Sequence, residues 1–230
     1  MTLVELLHVV PTANAKVILR ELGVTRVVMR GLQRLSGSGV ASGPARTLRF
    51  LPAREDVKPP KVNIQRATID TLRRGEILII DAIGSPDGAV LGDMLAARAH
   101  ANGAAAVIAD GVVRDIAGIR AMGLTVHARG TQPEPSVRNL VSCESDKPVQ
   151  CGGVLVEPGD YIIADDDAVL VVPKALADEV ALRGAEMAER DEFSQALIAA
   201  GWAIDEAYPF PASRAADFER FKRDRTVPKP

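Results

Sequence analysis

Aromatic residues are scarce: one Trp, two Tyr and five Phe make up 3% of a chain of 230 residues. The core must therefore be built from Val, Ile, Leu and Ala. Excess basic charge is missing too, since 28 Lys and Arg face 30 Asp and Glu for a net charge of −2. That balance offers no electrostatic footprint for nucleic acid and no polybasic surface for anionic lipid. No apolar run approaches the roughly 20 residues needed to cross a bilayer. The N-terminal stretch MTLVELLHVVPTANAK has no basic segment and is interrupted by Pro11, so it does not read as a signal peptide. A cytoplasmic location is expected.

Cysteine and histidine are equally sparse. Cys143 and Cys151 stand in a C-x7-C spacing that matches no metal or redox motif and read as reduced structural thiols. His8, His100 and His127 are isolated, which excludes a zinc constellation. Ser36-Gly37-Ser38-Gly39 lacks the Lys-Ser/Thr of a phosphate loop, and there is no G-x-S-x-G nucleophile elbow. Asp165-Asp166-Asp167 lacks the loop length and terminal Glu of a calcium hand and reads as a solvated turn.

What remains is ordinary soluble-globular composition, 47% hydrophobic and 25% charged, long enough for one domain with an appendage. Pro11 to Asn14 starts a helix that runs from Ala15 to Leu22, with Gly23 as its stop. Residues 31–53, rich in Gly and Ser, read as loops around a strand, and Arg54 to Lys61, with Pro59-Pro60, as a charged extended connection. A short helix is expected over Ile69–Arg74, then a buried strand Ile77–Ile80 ended by Asp81.

The stretch from Gly88 to Asp115, GAVLGDMLAARAHANGAAAVIADGVVRD, organises the rest. Gly92-Asp93 opens an alanine-rich helix with Leu91, Leu95 and Ala99 on one face; Gly103 caps it; Ala106–Ala109 is the next buried strand. Strand, helix, strand in this order is a βαβ unit, and pockets gather at strand C-termini in such units. Next come a short helix over Ile116–Met122, a strand over Leu124–Ala128 and the loop GTQPEPSVRN, the loop falling near the pocket. From Val141 to Val172 short apolar strands alternate with turns such as Pro158-Gly159-Asp160, as in a small barrel or swivelling β-sandwich. A long charged helix then runs from Lys174 to about Ala200. Residues 201–230 form a tail too short for a core of its own, which should pack on its own body or on a neighbouring subunit.

Two dipeptides carry the chemistry. At Gly92-Asp93 a glycine allows close backbone approach and the first helical N–H groups can receive a carboxylate. The same pair also fits a plain turn glycine with an acidic residue stabilised by the helix dipole. At Arg114-Asp115 a guanidinium fork suits a planar carboxylate and the Asp offers a hard oxygen to Mg²⁺ or Mn²⁺, although a surface ion pair would look the same.

Taken together, LGDMLAARAHANGAAAVIADGVVRD and VQCGGVLVEPGDYIIADDDAVLVVP resemble the RraA-like family from Thr12 to about Glu192. This family includes the class II 4-hydroxy-4-methyl-2-oxoglutarate/4-carboxy-4-hydroxy-2-oxoadipate aldolases. The resemblance implies an α/β protein with a central sheet, a βαβ active-site unit, a swivelling-type β half and a C-terminal helical tail. Residues 1–200 would form the catalytic domain, assembled as a homotrimer or hexamer. Asp115 would be the one direct protein ligand of Mg²⁺ or Mn²⁺, and Arg114 would hold the pyruvyl part of a small 2-oxo acid. Backbone N–H groups from Gly92 through Asp93, Met94 and Leu95 would bind its carboxylate, and Asp93 would position a water for proton transfer. Oxaloacetate decarboxylation is the side activity implied.

The chain departs from the family pattern in the first helix, where TANAKVILRELG replaces a T-x-x-x-x-D-like context and brings Asn14 and Lys16 into question at the substrate end. A Glu from the C-terminal helix of an adjacent subunit is also implied, with Glu186, Glu189 and Glu192 as candidates and Glu189 the choice among them. Two alternatives stand beside the aldolase: a non-catalytic protein-binding regulator of ribonuclease activity, and another metal-assisted 2-oxo acid decarboxylase or dehydratase.

Overall fold

A computed structural model describes residues 2–58 and 60–230; Met1, and Pro59 of the expected extended connection, lie outside the described residues. The elements in chain order are α1 (Leu3–Leu7), α2 (Thr12–Glu21), β1 (Val28–Met29), β2 (Gln33–Ser36), β3 (Ala41–Pro52), α3 (Ile64–Asp70) and β4 (Ile77–Ser85). Then come α4 (Asp93–Ala101), β5 (Ala106–Val113), α5 (Ile116–Met122), β6 (Thr125–Thr131), β7 (Leu140–Ser145), β8 (Val149–Cys151) and β9 (Val154–Val156). The chain closes with β10 (Tyr161–Ala164), β11 (Val169–Val172), α6 (Ala177–Ala199), α7 (Ile204–Ala207) and α8 (Ala215–Asp224).

The fold is the expected mixed α/β architecture. One sheet runs β1-β11-β10-β3-β4-β5-β6-β2, with β7 added on β3, and β8-β9 forms a separate hairpin. β3, β4, β5 and β6 are parallel neighbours, so α4 and α5 are the crossovers of two successive βαβ units. β5, AVIADGVV, is buried along its whole length, as a central parallel strand must be. One face of the sheet carries Leu48, Leu78, Ile80, Val107 and Ala109 against Ala96, Ala99 and Ile119 of the crossover helices. The other carries Ile77, Ile79 and Ile108 against Val149, Cys151 and Val156 of the hairpin. The small side chains of Ala96 and Ala99 let α4 approach the sheet closely.

The β-rich half is joined to the parallel half through β3, whose Ala41–Pro44 pairs antiparallel with β10 and whose Ala45–Arg49 pairs parallel with β4. Cys143 and Cys151 are free thiols, as expected, and burial pushes the Cys151 thiol well up.

Several local expectations shift. The glycine- and serine-rich stretch 31–53 is mostly strand, because cross-strand partners on β4, β7 and β10 outweigh its low β propensity. The helix expected over Ile69–Arg74 spans Ile64–Asp70 instead, since the Asn63 side chain accepts from Arg66 N at 2.9 Å and starts it earlier. Asp81 lies within β4 rather than ending it. Leu91 precedes α4, whose buried positions are Ala96 and Ala99. Helix α1, not foreseen, is nucleated by a capping box in which Glu5 N donates to Thr2 Oγ at 3.3 Å and Thr2 N to Glu5 Oε2 at 2.7 Å.

The tail packs on α6 of its own chain. Phe193 of α6 meets Phe210, Phe218 and Phe221 at centroid distances of 4.9, 5.5 and 5.3 Å. Four of the five phenylalanines are thus gathered in one small cluster, with Leu197 and Ala207.

Candidate active site at the ends of two parallel strands

The polypeptide leaves β5 at Val113 and leaves β6 at Thr131, and the residues just beyond line an open cleft of about 320 Å³. Its walls are Arg114, Asp115, Ile116, Thr131, Gln132 and Pro133. The two strand ends are tied together and to the start of α4 by main-chain bonds. Arg114 N donates to Leu91 O at 2.9 Å, Gln132 N to Val113 O at 3.0 Å, and Val90 N to Val112 O at 2.9 Å. The Gln132 side chain is held as well, donating to Pro86 O at 2.6 Å. A cleft framed this way is set by the sheet rather than by mobile loop.

Gly92 and the Arg114-Asp115 pair, 22 positions apart in sequence, meet here. A Cβ built on Gly92 would stand 2.8 Å from Asp115 Oδ2 and 3.1 Å from Arg114 Nε. Glycine is required for space, since its φ of −125° is open to any residue. Gly92 is also the N-cap of α4 and supplies no side-chain acceptor, so the N–H groups of Asp93, Met94 and Leu95 have no capping side chain. Uncapped donors at the positive end of a helix can receive a carboxylate. The Met94 side chain itself is 75% exposed. Asp93 lies against α5: a Cβ at Gly118 would sit 3.2 Å from Asp93 Cβ and 3.4 Å from its Oδ2.

Arg114 Nε and Asp115 Oδ2 are 3.2 Å apart, with side chains 40% and 44% exposed. Asp115 has φ +56° and ψ +35° at the start of α5, a left-handed conformation that costs a non-glycine residue about 1 kcal/mol or more. Such a residue persists where its surroundings over-determine it, and here it turns the carboxylate back toward Gly92. One hard carboxylate in an open cleft fits Mg²⁺ or Mn²⁺, which keep several waters and need few protein ligands. Among the described residues no cluster of three or more His, Cys, Asp or Glu is arranged to hold a metal.

The other sequence candidates lie elsewhere in the chain. Glu186 and Glu189 line a second cleft, about 430 Å³, between α6 and the tail, with Arg190, Phe210, Phe218 and Lys222. Glu189 Oε1 is 3.7 Å from Arg225 Nη1 there. Asn14 donates to Asp191 Oδ2 at 2.9 Å and Lys16 to Thr25 O at 2.5 Å, so neither lines the cleft of its own chain. Thr131 and Gln132 were legible only as part of a loop near the pocket; their place at the end of a parallel strand is the signal that singles them out.

Several known proteins resemble this chain. The family described as "RraA-like: Aldolase/RraA" matches residues 12–171. A Dechloromonas aromatica protein named "Putative 4-hydroxy-4-methyl-2-oxoglutarate aldolase" is 36% identical over 157 residues, covering 68% of this chain and 91% of that one. A protein of Albidiferax ferrireducens with the same name is 32% identical over 149 residues, covering 65% and 86%. Among solved structures, Streptomyces coelicolor RraAS2, described as an unusual member of the RNase ES inhibitor RraA protein family, superposes with a TM-score of 0.76. It is 36% identical, over 84% of this chain and 95% of that chain.

Proposed function

The chain belongs to the RraA-like family, and on that premise we propose that it is a divalent-metal-dependent pyruvate aldolase. Its substrate would be a small 4-hydroxy-2-oxo acid of the 4-hydroxy-4-methyl-2-oxoglutarate type, with oxaloacetate decarboxylation as a side activity. The observation that carries the proposal is the convergence of uncapped α4 N–H groups, the Arg114 guanidinium and the strained Asp115 carboxylate on Gly92. The aldolase names of the two relatives support the reaction class.

The substrate C1 carboxylate would lie on the N–H groups of Asp93, Met94 and Leu95, with the Arg114 fork against the pyruvyl end. Asp115 would hold Mg²⁺ or Mn²⁺, which when bound supplies Lewis-acid polarisation of the 2-oxo group. Cleavage breaks C3–C4: the C4 hydroxyl gives up its proton, a carbonyl forms at C4, and the electron pair passes to C3, which is reprotonated to give pyruvate. Asp93, whose side chain lies beside Gly118, would orient the water that carries this proton. Thr131 and Gln132 present neutral hydrogen-bonding groups to the remainder of the substrate. Glu189 would reach the cleft only from a neighbouring subunit of a homotrimer or hexamer.

The test is pyruvate release from 4-hydroxy-4-methyl-2-oxoglutarate and from oxaloacetate with Mg²⁺, Mn²⁺ or EDTA. Turnover that EDTA removes and Mn²⁺ restores, and that Asp115→Ala lacks, supports the proposal; full activity of Asp115→Ala sinks it. The likeness to RraAS2 favours a second reading, a protein-binding regulator of a ribonuclease. An interaction surface does not need the Gly92-Asp93/Arg114-Asp115 set, so capture of a ribonuclease by a chain with no turnover and no metal binding would be the outcome that puts this reading ahead.

A further inference from the structure

Two carboxylates lie side by side inside the sheet, next to the cleft but not part of it. Asp81 of β4 and Asp110 of β5 are register partners, 3% and 1% exposed. Burying two like charges on adjacent strands is costly unless both are paired and hydrogen-bonded. They are. Asp110 Oδ1 accepts from Arg129 Nε of β6, and its Oδ2 from Gln150 Nε2 at 2.8 Å and Gly152 N at 3.0 Å. Asp81 Oδ1 accepts from Ile83 N at 3.0 Å and Gln150 Nε2 at 3.1 Å, while Arg49 Nε lies 3.6 Å from its Oδ2.

Both ladders of β5 break at this point. Toward β4 the pairing runs in step to Asp81–Asp110 and then jumps, so that Gly111 faces Ser85; toward β6 it jumps between Ala109 and Val112. The residues passed over in β4 form a bulge in which Ile83 (φ +54°) and Gly84 (φ +69°) are left-handed. A bulge beside an active site re-aims the strand beyond it. Here the re-aimed segment is Gly111 to Val113, and it leads directly into Arg114 and Asp115. The Arg129 guanidinium is clasped in the bulge: a Cβ at Gly84 would lie 3.2 Å from its Nε, and one at Gly31 only 2.5 Å from its Nη1.

We infer that the Asp110–Arg129 ion pair is a positioning element, locking the re-aimed end of β5 to β6 so that Arg114 and Asp115 hold their orientation. This rests on reading those two residues as the lyase site. The pair lies four residues before Arg114, about 13 Å along a strand, and touches no reacting group. Asp110 and Arg129 are positioning rather than catalytic residues.

The experiment compares Asp110→Asn, Arg129→Ala, Arg129→Gln, and Asp160→Asn as control. Asp160 is buried far along the chain, where it accepts from Glu157 N and Lys174 N, and its replacement lowers stability without touching β5 or β6. Gln places an amide nitrogen where Arg129 has Nε, so Arg129→Gln keeps a hydrogen bond to Asp110 Oδ1, whereas in Asp110→Asn an amide nitrogen must face either the Arg129 Nε donor or the Gln150 Nε2 and Gly152 N donors. Asp110→Asn should lower kcat about ten-fold or more with KM little changed, as expected for misaligned groups. It should also speed amide exchange over residues 111–118. Arg129→Ala should show both effects, Arg129→Gln should recover much of both, and Asp160→Asn should alter neither at a temperature where every variant is folded. Wild-type kcat and exchange in Asp110→Asn, or equal kcat loss in Asp160→Asn, would overturn the inference. If the wild type releases no pyruvate from either substrate, the lyase reading fails by itself. Exchange over 111–118 then decides the positioning role, and unchanged exchange in Asp110→Asn overturns it.

Discussion

Gly92 stands directly against Asp115, with room for a hydrogen and no more: a Cβ there would come 2.8 Å from Oδ2. The backbone at Gly92 is extended and accepts alanine without strain. Gly92→Ala should therefore keep the fold, with a stability change of at most about 1 kcal/mol. The added methyl must push the Asp115 carboxylate or the Arg114 guanidinium aside. A displacement near 1 Å lowers turnover about 100-fold. Parallel thermal melts and pyruvate-release assays check this; wild-type turnover in Gly92→Ala would mean that the contact is not part of the site.

Asp115 separates stability from activity. Its left-handed backbone is tolerated well by Asn and at no steric cost by Gly. Asp115→Asn should melt within about 0.5 kcal/mol of the wild type, and Asp115→Gly at the same temperature or higher. Both should lose the Mn²⁺-dependent part of turnover, because neither retains an anionic oxygen. A loss of stability in Asp115→Gly would show that the side chain holds the turn rather than being strained by it. A site residue that destabilises its own fold is the pattern expected where function and stability compete.

Much of this arrangement was legible in the residues. The period-free apolar runs around Ile77 and Ala106, separated by an alanine-rich helix with glycine at both ends, specify a βαβ unit. The chemistry of the Gly-Asp and Arg-Asp pairs then falls at its strand ends. The left-handed turn at Asp115 was not legible, because Asp adopts it only when tertiary contacts demand it. Nor were Asp81 and Asp110 as a buried pair. An aspartate after four aliphatic residues reads as the end of a strand, and the partners that offset the cost of burial are mostly distant in sequence: the Gln150 amide for both, Arg49 beside Asp81, and Arg129 and Gly152 N on Asp110. Helix α3 begins before the expected Ile69 because the Asn63 side chain caps its N-terminus.

His127 makes the fold sensitive to mild acid. Its ring is buried, Nε2 donates to Asp165 O at 2.9 Å, and Nδ1 has no partner among the described residues. Burial, with the Arg34 guanidinium nearby, holds its pKa below the usual 6.5 despite the raising influence of Asp165 and Asp166. The unfolded chain therefore gains a proton near pH 6.5 that the folded chain resists. Stability is full above that pH and falls as pH drops below it, down to the folded-state pKa, by at most about 1.4 kcal/mol per pH unit. Denaturant unfolding at pH 7.5 and pH 5.5 measures the loss. His127→Gln should flatten this part of the profile; an unchanged slope in that variant would assign the effect to other groups.

The tail is held to the body mainly by one ring. Phe193, fully buried in α6, touches three of the tail's aromatic side chains. The remaining ties are peripheral: the Arg190 guanidinium lies 4.4 Å from the Phe210 ring centroid, and Arg225 meets Glu192 at 2.9 Å and Glu189 at 3.7 Å in exposed pairs of little energetic weight. Phe193→Ala should therefore cost about 3–5 kcal/mol, and the loss should be felt first by α7 and α8, which lie farthest from the sheet core. Limited trypsin digestion is the direct readout, with early cleavage expected after Arg214 and Arg220 while residues 12–172 resist. Phe193→Leu, which leaves a smaller void, should fall between the two. If Phe193→Ala leaves the tail as resistant as in the wild type, the aromatic cluster is not what fastens it. The exposed pairs along α6 would then carry more of the attachment than their solvent exposure allows.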